Sequence, residues 1–135
     1  MKPIAFSLLT ALLASTHAWG MTRLDALSQI ESRNNDHAIG AQQEVSRYQI
    51  LPAFWAQANV VWRPTDAATA QVVVEWIMQT RCRAFQARYH HAPSDFQYYV
   101  LWHRPACYLG RLHRRPLTTT EIDRARRFAT LCQSN

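Results

Sequence analysis

Ala26-Leu27-Ser28-Gln29-Ile30-Glu31-Ser32-Arg33-Asn34-Asn35 begins as a helix and ends as a loop, with one acid at the junction. Leu24, Leu27 and Ile30 recur at helical spacing and so share one face. Thr22 stands at the start of that run with Asp25 three residues on, a capping arrangement. Glu31 follows Ile30 directly, at the end of the apolar stripe. A carboxyl there lies where a buried helix face meets whatever the next loop encloses. Residues Ser32 to Ala41 are rich in Asn, Asp and Gly and do not continue the helix. Beyond Ala38-Ile39-Gly40 lies Ser46-Arg47-Tyr48-Gln49-Ile50. Val45, Tyr48 and Ile50 leave Glu44 to Ile50 undecided between an extended strand and a helical turn.

Outward from this segment, the chain reads as short helices joined by polar, proline-marked loops. Pro52 opens a short helix with Phe54 and Trp55. After the break at Arg63-Pro64, Asp66 caps the longest helix, running to about Ala87 with Val73, Val74, Ile77, Ala84 and Phe85 inward. His90 to Pro93 is a loop. Ser94 with Gln97 forms a capping box for a helix carrying Phe96, Tyr99 and Val100. Gly110 to Leu117 is a basic loop. Thr118 with Glu121 caps a last helix, with Ile122, Ala125, Phe128 and Cys132 inward. The expected fold is mainly α, a single small helical domain with a short irregular or β-like lobe near residues 34–50.

The first twenty of the 135 residues read as a secretory leader: Lys2, an apolar run from Ile4 to Ala14, then small residues that place cleavage after Ala18 or Gly20. The domain is then 21–135, exported to the periplasm or beyond, without stable membrane insertion once the leader is removed. The formal net charge of +6 favours an acidic partner. Arg111, Arg114, Arg115, Arg124, Arg126 and Arg127 read as a solvated basic surface. No aromatic residues interleave with the basic run, which speaks against nucleic acid. Cys82, Cys107 and Cys132 allow one disulfide and one leftover thiol in an oxidising compartment, or three reduced thiols if all are buried. No CxxC pair exists. His90-His91 beside Asp95 lacks a suitably spaced third ligand, so neither a metal nor any other cofactor is expected.

The quoted segments resemble the lytic transglycosylase and goose-type lysozyme superfamily. There a helix ends in an apolar residue followed by Glu-Ser, and a polar loop leads to a Gly-Leu-Met-Gln segment that walls a sugar cleft. Glu31-Ser32 matches the first signature and Gln49-Ile50 the end of the second. Ser46, Arg47 and Tyr48 stand where that family usually has Gly, Leu and Met, which leaves the shape of the wall open. A third signature, an aromatic-Asn pair on a later helix, has its nearest counterpart in Trp102-His103. The resemblance spans most of residues 24–105, with only the Glu-Ser and Gln-Ile pieces specific, and implies a lysozyme-like α+β fold. It also implies Glu31 as the catalytic acid, with Ser32, Glu44, Ser46, Tyr48, Gln49, Trp102 and His103 as candidate substrate contacts. The partner would be peptidoglycan glycan strands, bound by what is expected to be a monomer.

Glycosidic cleavage needs an acid to protonate the leaving oxygen as an oxocarbenium-like state develops. A carboxyl serves near neutral pH only if burial raises its pKa. In the transglycosylase route that the resemblance implies, the muramic sugar's own hydroxyl closes an anhydro ring and the same Glu takes its proton. A lysozyme-type hydrolase would need a second carboxylate, for which Glu44 leads and Asp36 follows, unless pairing with Arg33 or Arg47 occupies Glu44. The altered Ser-Arg-Tyr and Trp-His segments keep a third class open, a non-catalytic wall-binding or assembly factor that retains the fold.

Overall fold

Four of the helices start where a side chain can satisfy their first backbone N–H groups. The computed structural model describes residues 20–111 and 115–133. Helix α1 spans Arg23–Ser32, α2 Pro52–Gln57, α3 Ala67–Tyr89, α4 Asp95–His103, α5 Ala106–Leu109 and α6 Thr119–Cys132. Thr22, Asp66, Ser94 and Thr118 accept N-capping bonds at α1, α3, α4 and α6, and the last two complete reciprocal capping boxes. Helix α2 starts instead with Pro52, whose missing N–H costs nothing at that position. The one-turn α5, inside the Trp-His-Arg-Pro region, has no sequence signal beyond Pro105 at its start.

Helix α6 packs on both α4 and α1, while α3 flanks α4 and α5 and carries α2. Between α4 and α6 the rings of Tyr98 and Phe128 stack at 5.8 Å and 7°, with Tyr99 at 5.5 Å from Phe128. Leu27, Trp55, Val73, Val74, Phe85, Leu101 and Phe128 are fully buried between these helices. Arg23 pins the start of α1 to the start of α4. Its Nε lies 2.8 Å from Asp95 Oδ1, its Nη2 donates to the Pro93 carbonyl at 3.0 Å, and its guanidinium covers the Tyr98 ring at 4.7 Å.

The chain between α1 and α2 folds back on itself as a small lobe. Antiparallel bridges pair Ile39 with Val45 and Val45 with Ile50, so Val45 is shared by both. Glu44 to Ile50 is thus neither an extended strand nor a helical turn but a tight turn at Ser46 to Gln49, closed by the Val45–Ile50 bridge. Arg33 and Asn34, both at positive φ, end α1 by turning their N–H groups back to Gln29 and Ser28. Arg47 then holds Asp36 in a fork of 2.6 and 2.9 Å. The Ser32 hydroxyl donates to the Arg47 carbonyl at 2.8 Å, fastening the lobe to the end of α1.

Two expectations need correction, and one open alternative is decided. Ala84 is exposed, because the inward face of α3 is set by Ala70, Val73, Val74, Ile77, Met78 and Phe85. On α6 the buried positions are Glu121, Ala125 and Phe128, with Ile122 and Cys132 only partly covered. Cys82, Cys107 and Cys132, carried on α3, α5 and α6, are all free thiols, so of the two alternatives it is the three reduced thiols and not the disulfide that is found. Burial raises the pKa of Cys82 and takes that of Cys132 to about 11, which keeps both in the unreactive thiol form. The expected leader lies outside the described residues except for Gly20, and Arg114 of the basic loop lies outside them as well. Among the described residues, no helix is long and apolar enough to cross a membrane.

Candidate active site

A cleft of about 700 Å³ opens between the lobe and the helical body. The lobe contributes Gly40, Glu44 and Gln49, while the helices contribute Glu31, Phe54, Arg81, Trp102, His103 and Arg124. Glu31 is half-buried in the last turn of α1. The Tyr99 hydroxyl donates to its Oε1 at 2.8 Å. Burial raises the Glu31 pKa from its ordinary value; the Tyr99 bond and the charges of Arg124 and His103 pull it down, and Glu44 pushes it up. Burial wins, and the net shift is upward. Tyr99 itself is raised above the ordinary phenol value, by burial first and then by the Glu31 charge, so it stays a donor at neutral pH.

The lobe presents its side of the cleft through tight backbone geometry. Gln49 is held at φ 54° and its Nε2 donates to the Ser46 carbonyl at 3.0 Å, which closes the turn. A non-glycine residue in that region costs of order 1–3 kcal/mol and persists only where its surroundings impose it. The Glu44 carboxylate accepts the Gln42 backbone N–H at 2.8 Å. A Cβ on Gly40 would collide with the Glu44 and Gln49 side-chain oxygens, so the absence of a side chain there lets both groups face the cleft.

Five of the expected site residues therefore meet: Glu31, Glu44, Gln49, Trp102 and His103 all line this cleft. Three do not. Tyr48 is 4% exposed and belongs to the core. Ser46 is buried, with its hydroxyl accepting the Tyr48 N–H at 3.2 Å inside the turn. Ser32 holds the Arg47 carbonyl and Asn35 N–H, and it opens onto a second recess that shares Glu31 and Arg124 with the cleft. Asp36 is withdrawn by Arg47, whose hydrogen bonds hold its pKa below the usual carboxylate value. Glu44, by contrast, forms no ion pair among the described residues.

Tyr99, Arg124 and Arg81 are site residues that sequence reading did not identify. Tyr99 reads as a core aromatic, and its ring is indeed buried, but its hydroxyl reaches the acid. Arg124 reads as part of a solvated basic face, yet it is half-buried against the cleft. Its signal is its place one helical turn before Phe128, at the edge of the inner stripe of α6. His103 stacks on Tyr99 at 6.0 Å and 10°, and its Nε2 lies 3.7 Å from Glu121. Among the described residues, no group of three His, Cys, Asp or Glu side chains is arranged to hold a metal ion. No protein-family model, curated protein or solved structure matches this chain.

Proposed function

We propose that this chain is an exported peptidoglycan-cleaving enzyme of lysozyme-like α+β fold, a lytic transglycosylase with Glu31 as general acid and base. The observation that carries the proposal is a half-buried carboxyl of raised pKa in a large cleft, bonded to a phenol donor. Such a group keeps its proton to higher pH than a solvated glutamate and can pass it to a glycosidic oxygen. Protonation lets the bond from the sugar carbon to that oxygen break, leaving an oxocarbenium-like sugar. The sugar's own hydroxyl then attacks that carbon, and its proton returns to the Glu31 carboxylate. Tyr99 and Arg124 favour the ionised carboxylate between the two steps. Trp102 offers an aromatic face and Gln49 an amide, the two kinds of group that sugars use for stacking and hydrogen bonding.

Glu44 supports a second reading, that of a lysozyme-type hydrolase. It lines the same cleft without a cationic partner among the described residues and is close enough to Glu31 to raise its pKa. In an inverting hydrolase a second carboxylate activates a water across a gap of roughly 6.5–9.5 Å. Mass spectrometry of sacculi digested with the purified protein separates the cases. Anhydro ends are the expected products. Reducing ends alone would mean hydrolysis, and sacculi that bind the protein but yield no products would mean a wall-binding role.

A further inference from the structure

Arg81 carries a charge in this cleft that the proposed chemistry does not use. It is half-buried on α3, and its Nη1 donates to the Leu101 and Trp102 carbonyls at 2.9 and 2.7 Å. Its guanidinium lies 5.2 Å from the Phe54 ring centre and 5.9 Å from that of Trp102. Arg23, Arg47 and Arg104 each hold an acid, at 2.8, 2.6 and 2.8 Å, whereas Arg81 has no carboxylate partner among the described residues. Burial alone acts on it, pulling its pKa down to about 10. Nor is Arg81 among the charges that tune Glu31.

An arginine covered this far without a counter-ion is costly unless a ligand supplies one. Its fork has five N–H donors, and among the described residues only Nη1 is engaged. Two carbonyls and two rings fix the plane of that fork, so little freedom remains to be lost when a planar oxyanion docks. The reduced exposure strengthens a charge-assisted pair relative to one in open water. Arg81 lies beside Trp102, the ring offered to the sugar, so one ligand can reach both.

We propose that Arg81 is the anion subsite of the cleft, receiving a free carboxylate of the acidic peptide that branches from the glycan. The assignment rests on the glycan reading above. It is tested by calorimetry in the Glu31→Gln background, which leaves the ligand uncut, with a muropeptide and the same muropeptide carrying amidated carboxylates. The acid form should bind about 10–100-fold more tightly, as a charge-assisted hydrogen bond provides. Arg81→Gln should erase that difference, whatever it does to the affinity both forms share through the Trp102 face, and Arg81→Lys should restore it only in part. Equal affinity of the two ligands for protein with Arg81 intact overturns the subsite without any reliance on variant folding. If neither muropeptide binds, the glycan reading fails on its own account. A sugar-free acidic tetrapeptide then decides: Arg81-dependent binding sustains the subsite, and no binding overturns it.

Discussion

The Tyr99 hydroxyl and the Glu31 carboxyl form a 2.8 Å hydrogen bond that ties α4 to the last turn of α1 inside the cleft. Tyr99 favours the ionised form of Glu31, while burial disfavours it more strongly. The acid is thus tuned by opposing influences from two helices, each open to test.

Tyr99→Phe removes the donor and keeps the ring. Because the Tyr99 bond lowers the Glu31 pKa, its loss should move that pKa further up. Cleavage that needs protonated Glu31 falls as pH rises through its pKa, so the alkaline fall-off should shift to higher pH. Arg124→Gln should shift it in the same direction. A pH-rate profile of each variant with chemistry rate-limiting checks this; an unchanged or acid-shifted fall-off would separate Tyr99 and Arg124 from the acid.

Glu31→Gln should have opposite effects on activity and stability. General acid catalysis is worth about 10²–10⁴-fold, so peptidoglycan cleavage should drop at least that far. The folded-state pKa of Glu31 lies above the ordinary 4.5, so its stabilising contribution is complete below that value and lost as pH rises through the raised pKa. A neutral amide avoids that loss. Urea melts should find the variant near wild type at low pH and more stable than wild type at pH 7. A variant less stable at pH 7 would show that the carboxylate is well accommodated.

Tyr48 and the cleft pair Gln49 and Trp102 should separate in a mutational comparison. Tyr48 is a buried core side chain, so Tyr48→Ala should cost about 3–5 kcal/mol. The Gln49→Ala and Trp102→Ala double variant should keep a native circular dichroism spectrum and lose turnover. Full turnover in that folded double variant would remove both residues from the site.

Glu121 should govern stability in acid. Its carboxylate accepts the Thr118 N–H at 2.7 Å and Arg104 at 2.8 Å, and these contacts, Thr118 foremost, hold its pKa at about 2. A depressed carboxylate pKa contributes stability above the unfolded value, lost as pH falls toward the folded one. Glu121→Gln should therefore lower stability at pH 7 by about 1–3 kcal/mol and flatten the decline between about pH 5 and 2. Parallel denaturation curves for variant and wild type across that window would contradict it.

Much of the helical framework was legible from local sequence. Caps act within three residues, so Thr22, Ser94 and Thr118 with their partners announce α1, α4 and α6 before any packing is known. The stripe of Leu24, Leu27 and Ile30 likewise places Glu31 at the end of a buried face. Tertiary structure alone decided what surrounds that carboxyl. Tyr99 and Arg124 lie 68 and 93 positions from Glu31, and only the packing of α4 and α6 on α1 brings them to it. Periodicity reports which face of a helix is apolar, but not which neighbour meets it. That is why Arg124 passes for a solvated residue until the helices are packed together, whereas Tyr48 passes for a cleft residue only through its place in the matched segment.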